Sequence, residues 1–320
     1  MQLGPKAVTT LPKVDRTKYG YRLKRDLKVN RYLYLMALPV VVYYLLFHYV
    51  PMYGIQIAFK NYSPGTGIWH SDWVGFKYFN EFFHSFYFGR LIRNTLILSF
   101  YELIFQFTAP IILAFLLNEL RSALFKRIVQ TIAYLPYFIS IVVVVGFIVD
   151  FLARDGLLTN MLHFLFGMEK VAYLSKPEWF RVIFVSSGVW QNVGWGTIIY
   201  LAAMANIDPS LYEAAKVDGA SRLKMSYHIT FPGIMPTIII LLILQIGSLM
   251  SVNTDKILLL YNTATYESAD VIGTYVYRKG ILEANFSYSA AIGLFNSVIN
   301  FVLLVMANAL SKRVTETKLW

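Results

Sequence analysis

The sequence contains no cysteine, and charged residues make up only 15% of its 320 residues. Without cysteine there are no disulfides and no thiol chemistry, and the cellular compartment stays undecided. A soluble protein carries roughly a quarter charged residues, so 15% charge beside 57% hydrophobic residues argues against a soluble domain. Acidic residues are scarcer than basic ones, 18 against 29, which gives a net charge of +11.

Motifs of catalysis and nucleotide hydrolysis are also missing. The sequence has no Gly-x-x-x-x-Gly-Lys-Ser/Thr loop, no His-Glu-x-x-His and no Gly-x-Ser-x-Gly elbow. We therefore expect no catalytic residue, no metal site and no enzymatic activity. A membrane protein of this kind is a channel, a secondary transporter, a scaffold, or one subunit of a machine whose motor is another chain.

Long apolar runs are what the sequence does have. A membrane-crossing helix needs about 20 predominantly apolar residues, and aromatic residues, here 17%, concentrate at membrane interfaces. The sequence therefore predicts an all-α, polytopic membrane protein with six transmembrane helices. The six runs are residues 33–50, 95–117, 128–151, 182–204, 236–252 and 290–310.

Basic residues concentrate on one side of these predicted spans. That side holds 18 Lys and Arg against 7 Asp and Glu, whereas the other side holds 11 against 10. Because cytoplasmic connections carry the excess of Lys and Arg, both termini are predicted to be cytoplasmic. The basic N-terminus is interpreted as binding lipid headgroups rather than nucleic acid. The predicted domains are a cytoplasmic segment 1–32, a transmembrane domain 33–312 with a cytoplasmic loop 205–235, and a cytoplasmic tail 313–320.

The loop 205–235 has the clearest local signals. Asp208-Pro209 is typical of a helix N-cap followed by the first helical position, and Gly219 suits the position that ends a helix. These signals predict a short helix that begins at Asp208-Pro209 and ends before Gly219. A second short helix is predicted from Ser221, with its end at Pro232.

The same loop carries a spaced motif. Glu213-Ala214-Ala215, three residues, Gly219, nine residues and Ile229-x-Phe231-Pro232 follow in order. This resembles the EAA signature of ABC importer permeases, from which only Phe231, in place of leucine, departs. An ordinary helical hairpin would explain the caps and the glycine, but not the spacing. The resemblance implies coupling to a separate ATPase through Tyr212, Glu213, Ala214, Ala215, Asp218, Gly219, Ile229 and Pro232.

Other segments resemble the polysaccharide branch of that family, and together they cover about residues 30–312. The resemblance implies a type I ABC importer permease fold. It also implies a permease subunit that moves oligo- or polysaccharide, with alginate as one candidate, from a periplasmic binding protein into the cytoplasm by alternating access. The segments are residues 51–60, 73–77, 93–95, 117–119, 135–136, 193–200 and 270–277.

The resemblance further implies the partners. These are a second, similar permease in a heterodimer, two copies of an ABC ATPase, a periplasmic sugar-binding protein, the saccharide and the lipid of a bacterial inner membrane. No cofactor is expected on this chain, because the partner ATPase uses the ATP and Mg. Arg222 and Lys224 either form ion pairs with that ATPase or are unpaired residues of the positive side.

The resemblance places the substrate site midway across the membrane, on the spans that flank the loop. Amides suit sugar hydroxyls, and aromatic rings suit sugar faces; polar groups inside a membrane are costly unless they are used. Hydrogen bonding between helices is the alternative for the amides, and packing is the alternative for the tryptophans. The candidates are Tyr137, Trp190, Gln191, Asn192, Trp195 and Asn253.

Glu102 is an acid inside the second predicted span, beside Gln106. An ionisable residue there is a candidate ion or proton site, which would favour an ion-coupled secondary sugar transporter or a channel. A structural hydrogen bond is the alternative interpretation, and no second acid lies mid-span as a relay partner. For an anionic saccharide, the basic candidates on the outer side are Lys60, Arg278 and Lys279.

Overall fold

The computed structural model describes residues 26–315, with side chains described as far as residue 313. Within this range the chain forms helices and one isolated antiparallel bridge, between Lys60 and Trp73, and no β-strand. The prediction of an all-α protein is therefore confirmed. The described residues divide into two units by their contacts; the first ends at Gln56 and the second begins at Ile57.

The first unit contains the predicted first span. Helix α1 (Arg31–Tyr44) passes through a π turn (Leu45–Tyr49) into α2 (Val50–Met52), and a 3-10 segment (Tyr53–Phe59) follows. The whole helical stretch has a mean hydropathy of 1.8 over its most apolar window. It is long and apolar enough to cross a membrane, in agreement with the prediction.

As far as residue 315, the second unit contains fifteen α-helices, several of which join end to end through π or 3-10 turns. They are α3 (Gly67–His70), α4 (Lys77–Phe83), α5 (Phe88–Tyr101), α6 (Phe107–Glu119), α7 (Ala123–Tyr134), α8 (Ile141–Phe151), α9 (Leu157–Phe166), α10 (Pro177–Ala205), α11 (Pro209–Val217), α12 (Arg222–Met225), α13 (Phe231–Gly247), α14 (Thr254–Leu260), α15 (Tyr266–Ala269), α16 (Ile272–Tyr277) and α17 (Phe286–Thr315).

Three continuous stretches of this unit are also long and apolar enough to cross a membrane: Phe88–Glu119, Arg222–Gly247 and Phe286–Arg313. Over residues 26–315 this makes four such helices, or five if a bent pair is one span. Helix α10 has 29 residues, enough to cross a membrane, but its mean hydropathy is lower than that of these four stretches. Length and hydropathy thus support a polytopic protein without fixing the number of spans at six.

The third predicted span, residues 128–151, is interrupted by a sharp bend in the structure. The structure divides this run into Ala123–Phe138 and Ile141–Phe151, which meet at an angle of 99°. The break follows Pro136, whose 3-10 turn ends at Phe138, and Ile139 then takes an extended conformation. Proline lacks a backbone N–H and crowds the preceding turn, which accounts for the interruption of an otherwise apolar helix.

The predicted end of the second loop helix at Pro232 is wrong. Helix α12 continues through a π turn (Ser226–Thr230) into α13, so one helical stretch runs from Arg222 to Gly247. The π turn changes the hydrogen-bond pattern immediately before the proline, and a residue without an N–H is tolerated near the start of the next α-helical segment. The fifth span accordingly ends at Gly247 rather than at residue 252.

Helix α10 lies at the centre of the second unit and packs along α6, with further contacts to α7 and α13. Three clusters of buried apolar side chains hold these helices together. One joins α6, α10 and α13; its buried members are Ala114, Tyr200, Met204, Ile234 and Ile238. The other two clusters include residues of the short helices α14 to α16, among them Ile257, Leu260, Ala269, Ile272 and Tyr275.

The short helices after Gly247 are fixed by a buried carboxylate. Asp270 is fully buried and forms ion pairs with Arg278 at 2.8 Å and Arg90 at 3.2 Å. Thr274 Oγ1 also donates a hydrogen bond of 2.8 Å to Asp270 Oδ1. Removing one partner from a buried ion pair is strongly destabilising, so this carboxylate ties α5, α16 and the π turn that follows α16 into one packed group.

The three basic residues proposed as contacts for an anionic saccharide all have partners within the chain. Arg278 pairs with Asp270, and Lys279 Nζ lies 2.6 Å from Glu283 Oε2. Lys60 Nζ donates a 2.7 Å hydrogen bond to the carbonyl of Ile68. These side chains therefore have structural contacts in addition to any role towards a substrate.

Candidate coupling loop and substrate cavity

The first loop helix, α11, begins and ends as its sequence predicts. Asp208 is the N-cap and accepts a 2.9 Å hydrogen bond from the Ser210 backbone N–H, with Pro209 in the first turn. Hydrogen bonds from the backbone and side chain of Ser210 hold the pKa of Asp208 below its usual value. The N-cap therefore remains a carboxylate at neutral pH, and a negative charge is favourable at a helix N-terminus.

Gly219 ends α11 in the left-handed conformation, with φ of +74°. The Gly219 N–H donates to the Lys216 carbonyl at 3.1 Å, and the Ala220 N–H donates to the Ala215 carbonyl at 2.8 Å. This pair of hydrogen bonds is the Schellman motif. A sharp change of direction between α11 and α12 follows from it.

Helix α11 presents most of the predicted coupling residues to the surface. Glu213, Ala214, Asp218 and Gly219 are exposed, whereas Ala215 and Tyr212 are half-buried. Large apolar side chains are also exposed on this loop: Leu211 at 52%, Val217 at 88%, Leu223 at 81% and Tyr227 at 69%. Neighbouring exposed apolar side chains are typical of a protein interaction site.

Two sets of polar contacts link the loop to the π turn before α13 and to the end of α6. Tyr212 Oη lies 2.9 Å from Thr230 Oγ1, which links α11 to the π turn before α13. Ser226 Oγ donates a 2.7 Å hydrogen bond to Glu119 Oε1 at the end of α6. Arg222 NH1 lies 4.0 Å from the same carboxylate, so this arginine has a partner within the chain. Ile229 lies half-buried in the π turn, and Pro232 is exposed just after it.

A cavity of about 550 Å³ lies between the π turn Glu102–Gln106, α10 and α13. Its wall combines amides, hydroxyls, one carboxylate and aromatic rings. The lining residues are Glu102, Gln106, Phe107, Pro110, Asn192, Trp195, Gly196, Ile199, Tyr200, Leu241, Leu244, Gln245, Ser248, Ser251 and Asn253.

Three of the six predicted substrate residues, Asn192, Trp195 and Asn253, line this cavity. Tyr137 stacks on Trp195 with ring centroids 4.5 Å apart and an interplanar angle of 3°. Asn253 has a structural contact as well, because its Oδ1 accepts a 3.1 Å hydrogen bond from the Lys256 N–H and caps α14. Three predicted residues therefore line one cavity, and the fourth, Tyr137, stacks on one of them.

The other two predicted substrate residues lie elsewhere. Gln191 is buried, and its Nε2 donates a 3.3 Å hydrogen bond to the Ile139 carbonyl, at the break between α7 and α8. Trp190 lines a separate cavity of about 680 Å³ whose walls are almost wholly apolar, between α8, α9 and α10. The contacts of both residues correspond to the packing and hydrogen-bonding alternatives.

The cavity also contains polar residues that sequence reasoning did not single out as substrate contacts. Gln245, Ser248 and Ser251 come from the end of α13 and the turn after it. Their signal in the sequence is a group of polar side chains at the end of an apolar run. That signal is weak because the rotation of α13 decides which of them face the cavity.

Glu102 accepts a hydrogen bond within the chain, as the structural interpretation of this acid requires. Its Oε1 accepts from Gln106 Nε2 at 3.3 Å, one π turn away. Lys256, only 2% exposed, interacts electrostatically with this acid, and its Nζ donates a 3.0 Å hydrogen bond to the Phe184 carbonyl. The hydrogen bond to Gln106 is a structural contact of Glu102, which is itself half-buried and also borders the cavity.

Long apolar helices that enclose a cavity with a polar and aromatic wall are the arrangement expected of a membrane transport protein. The model of the family "binding-protein-dependent transport system inner membrane component" matches residues 106–316. That range covers most of the chain, from the π turn at the cavity to the end of α17. The chain belongs to this family.

Close relatives match over almost the whole length. The polygalacturonan/rhamnogalacturonan transport system permease protein YteP of Bacillus subtilis (strain 168) is 46% identical over 309 residues, covering 95% of this chain and 96% of YteP. Protein LplB of the same organism is 45% identical over 295 residues, 92% of each chain. A chain of a bacterial alginate ABC transporter, solved in complex with an alginate pentasaccharide-bound periplasmic protein, superposes with a TM-score of 0.86 at 45% identity. That match covers 93% of this chain and 100% of the other.

Proposed function

We propose that this chain is a transmembrane permease subunit of an ATP-driven importer of oligo- or polysaccharides, with alginate as one candidate substrate. Similarity over more than nine tenths of the chain to YteP and to the alginate transporter subunit carries the proposal. The mixed lining of the cavity agrees with it, because amides and hydroxyls hydrogen-bond to sugar hydroxyls while Trp195 offers a flat apolar face. The chain itself performs no chemistry.

The proposed assembly contains a second, similar permease, two copies of a separate ATPase and a periplasmic binding protein. The solved alginate transporter with its bound periplasmic protein supports the last of these partners. ATP and Mg act on the ATPase, not on this chain. The positive-inside rule places the loop between α10 and α13, together with both termini, at the cytoplasmic face of a bacterial inner membrane.

We propose that the ATPase binds α11 in a helix-in-groove manner. The small residues Ala214 and Ala215 allow close approach, Glu213 supplies an exposed charge, and Val217 and Leu223 supply exposed apolar contacts. Closure of the ATPase would then move α11 and α12 together. The cavity would open alternately to the two faces, with the partner biasing two pre-existing conformations.

The assembly is tested by a tagged purification of this chain from mildly solubilised membranes, with every co-purifying subunit identified and counted. We expect two copies of an ATPase and one other permease for each copy of this chain. ATP-driven uptake of saccharide should follow when the purified complex and its binding protein are placed in liposomes. Saccharide uptake by this chain alone, without any ATPase, would contradict the proposal and favour an ion-coupled transporter.

Two tryptophans on α10 provide a matched test of the cavity. Trp195 and Trp190 are five residues apart and similarly exposed, 43% and 48%, but they line different cavities. An aromatic contact contributes about 0.5–1.5 kcal/mol beyond buried area. We therefore expect Trp195→Ala to raise the KM for saccharide uptake by about 2- to 12-fold, whereas Trp190→Ala leaves it near the wild-type value. Equal changes in the two variants would exclude a specific role for the Trp195 cavity.

A further inference from the structure

Glu119, the last residue of α6, forms polar contacts to the loop helices that lie beyond the Gly219 turn. Its Oε1 accepts the 2.7 Å hydrogen bond from Ser226 Oγ, and its Oε2 lies 4.0 Å from Arg222 NH1. The Glu119 side chain is 39% exposed, and Ser226 is half-buried. A hydrogen bond to a carboxylate is shorter and stronger than one between neutral groups, so the Ser226 contact is the main link and the Arg222 pair is the weaker one.

The position of Glu119 in the fold allows this link to transmit movement between the loop and α6. Helices α10 and α13 are joined covalently to the loop. Helix α6 precedes the loop by about ninety residues and touches it only through noncovalent contacts. Glu119 supplies a polar contact between α6 and the loop. An aromatic contact lies beside it, with the Phe115 and Phe231 ring centroids 6.3 Å apart. Movement of α12 therefore acts on α6 directly.

The other end of α6 reaches the cavity. Glu119 and Gln106 are 13 residues apart, about 20 Å along a helix. Gln106 and Glu102 lie in the π turn that borders the cavity, and α6 packs along α10, the helix that carries Asn192 and Trp195. Helix α6, held at Glu119, thus connects the loop to two walls of the cavity.

We propose that Glu119 is a positioning residue that fixes α6 to the loop, so that movement of the loop reaches the cavity with each cycle of ATP hydrolysis. This inference rests on the proposed function and extends it to a residue outside the loop. Glu119 contacts neither the saccharide nor the ATPase in this scheme. Its loss should uncouple hydrolysis from uptake rather than prevent hydrolysis.

The test uses the complete complex with its binding protein in liposomes, and it measures ATP hydrolysis and saccharide uptake in the same sample. We expect Glu119→Ala to lower the uptake per ATP hydrolysed by fivefold or more while hydrolysis continues. Glu119→Gln should recover at least half of the wild-type ratio, because its side-chain oxygen still accepts a hydrogen bond from Ser226. Ser226→Ala should resemble Glu119→Ala, and the double variant should be no worse than either single one.

Asn118→Ala is the matched control, since Asn118 directly precedes Glu119 on α6 and its side chain is exposed. It should keep the wild-type ratio. The inference is overturned if Glu119→Ala keeps that ratio, or if hydrolysis and uptake fall in parallel, which would indicate a role in folding or ATPase docking. Absence of ATP-driven uptake in the wild-type complex would instead count against the proposed function.

A second measurement uses the absence of cysteine from the chain. Cysteines placed at Glu119 and Ser226 can be joined by a short, reducible bis-thiosulfonate crosslinker without background labelling of this subunit. Because the proposed link stays closed throughout the cycle, we expect crosslinking to restore the uptake per ATP that the two substitutions reduce, and reduction to remove it again. Blocked transport in the crosslinked complex would mean that the contact opens during the cycle, and would refute the inference.

Discussion

Replacing Gly219 by proline is expected to abolish ATP-driven saccharide uptake. Gly219 has φ of +74°, whereas proline is fixed near −65°. Proline also removes the N–H that donates to the Lys216 carbonyl. A penalty of about 3 kcal/mol, typical of a misplaced proline, shifts an equilibrium roughly 150-fold. Helices α11 and α12 would then lose the fixed angle through which the loop transmits movement.

Gly219→Asn is the matched control for this prediction. A Cβ at position 219 meets nothing within 4 Å, so a side chain there costs only the left-handed backbone conformation, which asparagine tolerates well. Uptake should therefore be far higher than in the Gly219→Pro complex, because asparagine keeps the backbone N–H and is found at this helix-ending position. Both variants should insert into membranes equally, as judged by their yield in the membrane fraction. Normal uptake by the Gly219→Pro complex would rule out the elbow as part of the mechanism.

The start and end of α11 could be predicted because their causes are local. Asp208 and Pro209 cap the helix through neighbouring backbone groups, and Gly219 ends it through its own backbone freedom. The apolar runs predicted long helices for the same reason, since hydropathy is a sum over adjacent residues. These features do not depend on the packing of distant segments.

The sequence alone does not distinguish the helix break near Pro136 from the continuous helix through Pro232. Both are prolines in or beside apolar runs, yet one is followed by a 99° bend and the other by an unbroken helix. Pro232 follows the π turn Ser226–Thr230, whose Ser226 is held by Glu119 from another helix. A contact between residues 107 positions apart leaves no local signal.

The rotation of α10 about its own axis decides which of the predicted residues face the cavity. Gln191, Asn192 and Trp195 are neighbours in sequence, but Gln191 lies on a different face of α10 from the other two. Asn192 and Trp195 border the cavity, whereas Gln191 turns to the Ile139 carbonyl. A residue's face on a helix with neighbours on all sides is decided by packing, and the sequence marked the amides Gln191 and Asn192 alike.

Packing at Gly194 gives the largest expected loss of stability. Helix α10 touches α7 so closely there that an added Cβ would overlap the Ala133 carbonyl and lie 2.8 Å from the Tyr134 backbone nitrogen. Small residues permit such approaches between membrane helices. Because the obstructing atoms are backbone, no side-chain rotation relieves the overlap. Gly194→Ala should therefore lower the free energy of unfolding by about 3 kcal/mol, the upper end for overpacking.

The Gly194→Ala substitution should also alter the surroundings of the cavity, because displacement of α7 would move Tyr137 away from Trp195. The stacked pair, 4.5 Å apart, should separate, with a change in tryptophan fluorescence alongside the lower melting temperature of the detergent-solubilised chain. Gly146→Ala on α8 is the control, because an added Cβ there meets nothing within 4 Å. Replacing an unobstructed helical glycine by alanine stabilises a helix by roughly 0.5–1 kcal/mol. Equal stability of the two alanine variants would disprove the close contact between α7 and α10, and with it the position assigned to Tyr137 beside the cavity.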